Sequence, residues 1–171
     1  MQHKRLTAVA LAVTVGGVGV GTAVGTPGTG IIGAPILARG TLDADHHHHK
    51  GRRNKPVKIK LQRPSDVAVQ QVTIAPGGST GWHSHPGPAV VIVKSGTFTL
   101  YDGDDRRCTG ETISVKPEDP VGKVFVDEGY GHVHIGRNEG STNVELYVTY
   151  LDVPVGAAPR IDVPRPGNCP F

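Results

Sequence analysis

Four of the nine histidines form two pairs whose members stand two residues apart, His83 with His85 and His132 with His134. A β-strand repeats its side-chain direction every second residue, so a His-x-His within a strand turns both imidazoles to one face. Two such strands across a closed sheet bring three or four ring nitrogens to one point, the donor set of a transition-metal site. A lone histidine more often satisfies a buried hydrogen bond. Two spaced pairs favour ligation.

The elements that must position these residues read as short strands. Val57, Ile59 and Leu61 alternate with Lys58, Lys60 and Gln62, and Val72 and Ile74 alternate with Gln71 and Thr73 before Pro76-Gly77-Gly78 breaks the run. Ala89 to Val93 is continuously apolar, Lys94-Ser95-Gly96 reads as a turn, and Thr97 to Tyr101 alternates around Phe98 and Leu100. After a second turn at Asp102 to Asp105, short strands are expected at Thr112 to Val115, Val124 to Val126 and Val133 to Ile135. Val144, Leu146, Val148 and Tyr150 then alternate with polar neighbours. No apolar stripe with the helical period of about 3.6 residues runs through this region. With 24 glycines and 14 prolines as punctuation, the pattern predicts one all-β domain over 57–171, an antiparallel sandwich or barrel.

What precedes that domain reads differently. Lys4-Arg5, the apolar run Leu6 to Val24 and a Gly/Thr/Pro-rich stretch follow the order of a secretory signal, assigned with its small-residue continuation to 1–34. The cut follows Ala23 or falls near Ala34; an uncleaved N-terminal membrane anchor is the alternative. Residues 35–56 read as a flexible linker rich in His, Lys and Arg. Its tract His46 to His49 reads as solvated chain rather than a defined metal site, because four adjacent imidazoles cannot converge in one conformation. Once the signal is removed the chain is expected to hold no stable membrane span.

Lysine and arginine number 18 against 15 acidic residues, and two of the positives lie in the signal, so nucleic acid is not expected as a partner. The two cysteines, Cys108 and Cys169, fall in the part expected to be exported, where a lone pair is read as a disulfide. It would pin the proline-rich tail Pro164 to Phe171, which cannot hold itself down by strand pairing.

At this point the residues resemble a family. Gly77, five residues, His83-Ser84-His85, three residues, Ala89, six residues and Gly96 are similar to the first motif of the cupins. That motif runs glycine, His-x-His, glutamate, glycine. Gly129-Tyr130-Gly131-His132-Val133-His134, three residues and Asn138 resemble the second motif, with Gly129 where the family has proline and Lys123 in the register of its opening glycine. The likeness spans roughly Val67 to Pro154 and implies an antiparallel jelly-roll barrel with a metal inside. Carried over by position, it implies His83, His85 and His134 as the histidine ligands, with His132 a further candidate because two residues separate it from His134. Ala89 occupies the glutamate position, so the family's carboxylate ligand is missing there. Three neutral imidazoles suit Zn, Fe, Cu or Ni better than hard ions.

Three functions are consistent with this reading. The first is a metal-dependent oxygenase acting on a small organic substrate, with Tyr130 and His132 as the nearest candidates for acid–base work. The others are a non-catalytic module that binds a small ligand, and a structural barrel stabilised by its metal. Cupins often pair through sheet edges, so a homodimer is a further expectation.

Overall fold

The computed structural model describes residues 25–42, 49–50, 56–57 and 63–171. The apolar signal run, His46 to His48 of the tract, and Ile59 and Leu61 lie outside the described residues. Strands form β1 (Thr29–Gly33), β2 (Ile36–Leu42), β3 (His49–Lys50), β4 (Pro56–Val57), β5 (Ser65–Ser79) and β6 (His83–Ser84). The chain continues through β7 (Ala89–Asp102), β8 (Glu111–Val115), β9 (Lys123–Asp127), β10 (His134–Asn138), β11 (Val144–Pro154) and β12 (Ile161–Asp162). Among the described residues there is no helix, hence none that could cross a membrane.

Strands β5, β11, β7 and β10 are neighbours in that order, and β10 returns to β5 through Arg137 opposite Ser79. This closes an antiparallel barrel. Its interior follows from the period of two. Along β11, Val144, Leu146, Val148 and Tyr150 are buried, while the residues between them are only partly covered. Facing strands add Val72 and Ile74 from β5 and Val91, Val93 and Phe98 from β7. Each such aliphatic side chain removed from water contributes about 1.5–3 kcal/mol, which is what fixes the register.

Three expectations need correction. The turn expected at Lys94-Ser95-Gly96 is a bend inside one strand. Ala89 to Ser95 pairs with β11 and β9, whereas Gly96 to Asp102 pairs with β10 and β8. Gly96 makes this bend with φ of 91°, and a Cβ there would lie 2.6 Å from the Asn143 carbonyl oxygen. Likewise, Pro76-Gly77-Gly78 does not end its strand; β5 runs on to Ser79, and β1 follows it through register shifts.

The third correction concerns the segment given to the signal continuation and linker. Residues 29–33 and 36–42 are the strands β1 and β2, both laid antiparallel on β5. Arg39 anchors this addition through an ion pair at 2.9 Å to the buried Asp66. An exposed strand edge leaves backbone groups unpaired, and β1 and β2 satisfy those of β5. Within the expected linker, His49–Lys50 and Pro56–Val57 also pair, as a separate two-stranded sheet.

A smaller apolar cluster secures the C-terminal tail. It contains Trp82, Ile135 and Cys169, with Cys108, Val163 and Phe171 packed against them. The expected disulfide is formed, with the Cα atoms of Cys108 and Cys169 5.3 Å apart. Trp82 Nε1 donates to the Phe171 carbonyl at 2.8 Å. The tail strand β12 pairs with β6, placing Asp162 opposite His83 and Ile161 opposite Ser84. The two-residue β6 is thereby held between β10 and β12.

Candidate metal centre

His83 lies on β6 and His85 just beyond it, and His134 opens β10 directly opposite His83. Opposed residues of an antiparallel pair point to the same face. The His-x-His spacing adds His85 to that face. One nitrogen from each of the three rings lies within 4.8 Å of the others, a group that could hold a metal ion. All three residues are buried.

Two of the rings are oriented from behind. His83 Nδ1 lies 2.8 Å from the Gly81 carbonyl, and His85 Nδ1 lies 2.7 Å from that of Pro159. A carbonyl only accepts, so each Nδ1 carries the proton and each Nε2 keeps its lone pair. Burial holds the His83 ring well below its usual value of 6.5, and the neighbouring His134, Arg160 and His85 disfavour a further positive charge there. Burial likewise lowers His85 and takes His134 down to about 4, against an opposing pull from Asp127. At neutral pH the three imidazoles are therefore uncharged, the state in which imidazole ligates.

The rings face a cavity of about 220 Å³ inside the barrel, walled by Val72, Val91, Phe98, Phe125, Leu146 and Val148. Polar groups in its wall are few. Tyr150 donates to Gln70 Oε1 at 2.7 Å, and burial pushes its phenol up to about 12, so it stays protonated. Arg160 also lines the cavity and is paired with Asp162.

Asp127, at the end of β9, escaped the sequence reading. Its carboxylate side chain is 4% exposed, with Oδ2 3.6 Å from His85 Nε2 and 3.5 Å from His134 Nδ1. Neither Oδ2 nor His134 Nδ1 makes a hydrogen bond, although both are buried. Buried polar atoms are rarely left without partners, so this pair fits a missing cation. The signal was present in the alternation of β9. Phe125 turns into the barrel, and two residues on Asp127 must do the same.

Of the two acid–base candidates, Tyr130 stands apart from the three-histidine group, whereas His132 converges with Asp127 and His134, one ligand atom of each lying within 4.8 Å of the others. Tyr130 is 70% exposed, with its hydroxyl 3.4 Å from Asp152. His132 precedes β10, because Gly131 at φ of 88° and a turn from the His132 amide to the Gly129 carbonyl interrupt the strand. Its ring lies between Asp127 and Asp102, at 3.5 Å and 3.4 Å. His132 is thus not on a regular strand with His134, yet its ring stays beside that of His134, the centroids 5.8 Å apart.

A family model described as the cupin domain matches residues 70–150. The chain carries a cupin domain. No curated protein matches it in sequence. Among solved structures, it is similar to a cupin domain from Bordetella pertussis, at 24% identity over 48% of this chain and 78% of that one, with a TM-score of 0.38. The polyketide cyclase RemF from Streptomyces resistomycificus matches at 20% identity over 57% of this chain and 60% of that one, TM-score 0.43. A protein with a double-stranded β-helix domain from Klebsiella pneumoniae matches at 19% identity over 57% and 74%, TM-score 0.42.

Proposed function

We propose that this cupin is an exported metal-dependent oxygenase acting on a small, largely apolar organic substrate. His83, His85 and His134 are its metal ligands. The observation that carries the reading is the convergence of three neutral, buried imidazoles on one side of an apolar cavity. The donor set suits Fe, Cu, Zn or Ni. A redox-active ion held there would supply the activation of dioxygen. The chain's own residues bind and orient. The aliphatic and phenylalanine walls take the substrate's carbon skeleton and exclude water, and Arg160 offers a donor to an oxygen-bearing end. Export is supported by the charged, apolar, small-residue order of the N-terminal segment and by a disulfide suited to an oxidising compartment.

A second reading, a non-catalytic module that holds a small ligand on the metal, is favoured by one observation. Neither acid–base candidate lines the cavity, and Tyr150 is not ionised at neutral pH. The two readings separate on protein loaded with Fe²⁺ or Cu²⁺ and offered a panel of small phenols, diketones and thiols. Dioxygen uptake that the His134→Ala variant loses supports the oxygenase. A melting shift without uptake supports the module. Neither response defeats both.

A further inference from the structure

The geometry points to Asp127 as a fourth ligand of the metal, supplying from β9 the carboxylate that position 89 on β7 lacks. The inference rests on the metal reading above and goes beyond its three histidines. Its first support is register. Ala89 and Asp127 are direct partners across the β7–β9 pair, so their side chains leave the sheet on the same face, about 5 Å apart at Cβ. A carboxylate at either position is therefore delivered into the same region of the barrel.

The second support is the state of the carboxylate itself. Oδ1 is occupied, accepting the Gly129 amide at 3.0 Å, which fixes the plane of the group. Oδ2 is buried and makes no hydrogen bond. It sits 3.6 Å from His85 Nε2, the nitrogen left free by the bond to Pro159, and 3.5 Å from His134 Nδ1, also without a hydrogen bond. Ligand atoms about 2.0–2.2 Å from one ion stand roughly 3–3.6 Å from each other, so Oδ2 has ligand-like separations from His85 and His134, and His134 is common to the group with His83 and His85 and to the group with Asp127 and His132. Three imidazoles alone leave a dication's charge uncompensated; Asp127 brings the centre to a net single charge and makes it acceptable to harder ions such as Mn²⁺.

The test is metal affinity by titration calorimetry on the full chain, with Mn²⁺ and Zn²⁺ as probes. It compares the parent with Asp127→Asn, His134→Ala and the exchange variant Asp127→Ala/Ala89→Glu. The proposal predicts that Asp127→Asn weakens Mn²⁺ binding by more than about 100-fold, beyond what loss of an outer-sphere partner costs, and weakens Zn²⁺ less. It predicts that the exchange variant recovers Mn²⁺ binding, since the longer glutamate spans the gap between the paired positions. A smaller loss in Asp127→Asn, or equal losses for both ions, overturns the proposal. If His134→Ala loses metal while Asp127→Asn does not, only the fourth ligand falls. If His134→Ala keeps its affinity as well, the metal reading falls with it. Should the exchange variant not fold by circular dichroism, Asp127→Asn against the parent decides. With ¹³Cγ-labelled aspartate and Mn²⁺ bound, electron–nuclear double resonance must show one strongly coupled carboxylate carbon, and its absence overturns the proposal.

Discussion

His134 stands directly opposite His83 across the β6–β10 pair, with the ring centroids 4.4 Å apart. The relationship depends on a strand of only two residues, β6, whose other edge is held by β12. Strand β12 leads into the tail that the disulfide pins and whose last residue receives the Trp82 indole hydrogen bond. The disulfide therefore supports the candidate metal centre as well as the tail.

Removing that support is expected to loosen both. Replacing Cys108 and Cys169 with serine opens a loop of 61 residues and costs roughly 4 kcal/mol in the chain-entropy model. Denaturant unfolding checks this loss. Since Trp82 is the single tryptophan and stacks near Phe171, its emission is expected to move to longer wavelength, and metal affinity is expected to fall in the same variant.

The apo-protein is expected to lose stability in acid. His83, His85 and His134 are held below 6.5 when folded, mainly by burial, so between that value and about 4 the unfolded chain binds more protons than the folded one. Stability then rises with pH across this window, by on the order of 1 kcal/mol per pH unit from His134, with His83 and His85 acting in the same direction, and is fully present above 6.5. Urea titrations at pH 5 and pH 7 check the sign. Bound metal steepens the dependence, because protons compete with it for the same nitrogens.

Much of this arrangement was legible in the sequence. The alternation of β11 and the His-x-His spacing carry their geometry with them, since both depend only on a period of two. Long-range register was not legible. Nothing local places Asp127 opposite Ala89 or tells that the Gly96 bend continues a strand instead of reversing it. The addition of β1 and β2 to β5 was missed for a related reason. Ile31, Ile32, Ile36 and Leu37 are exposed, so at these positions the strands join the sheet through backbone pairing rather than apolar burial.

The turn between β9 and β10 gives a paired prediction. Gly129 has φ of 67°, and a Cβ there would meet the Gly87 carbonyl oxygen at 2.0 Å, whereas Gly131 at φ of 88° has open space. Gly131→Ala is expected to cost about 1–2 kcal/mol, the conformational term alone. Gly129→Ala is expected to cost more than about 3 kcal/mol and to displace Asp127, whose Oδ1 its amide holds. Thermal melts of the two variants check the order.

Metal is expected to stabilise the folded state by mass action. At a free concentration 100 times the dissociation constant, the gain is about 2.7 kcal/mol. A melting temperature that drops on adding EDTA and returns with excess Zn²⁺ checks it.

The claim that His83, His85 and His134 hold a metal is tested most directly by elemental analysis of protein purified without chelator or nickel resin. The parent for this measurement is a variant lacking His46 to His49, compared with the same protein carrying His83→Ala, His85→Ala or His134→Ala. The account predicts close to one equivalent of a transition metal in the parent and its loss from each of the three substitutions. No metal in the parent, or full metal in all three variants, would contradict it.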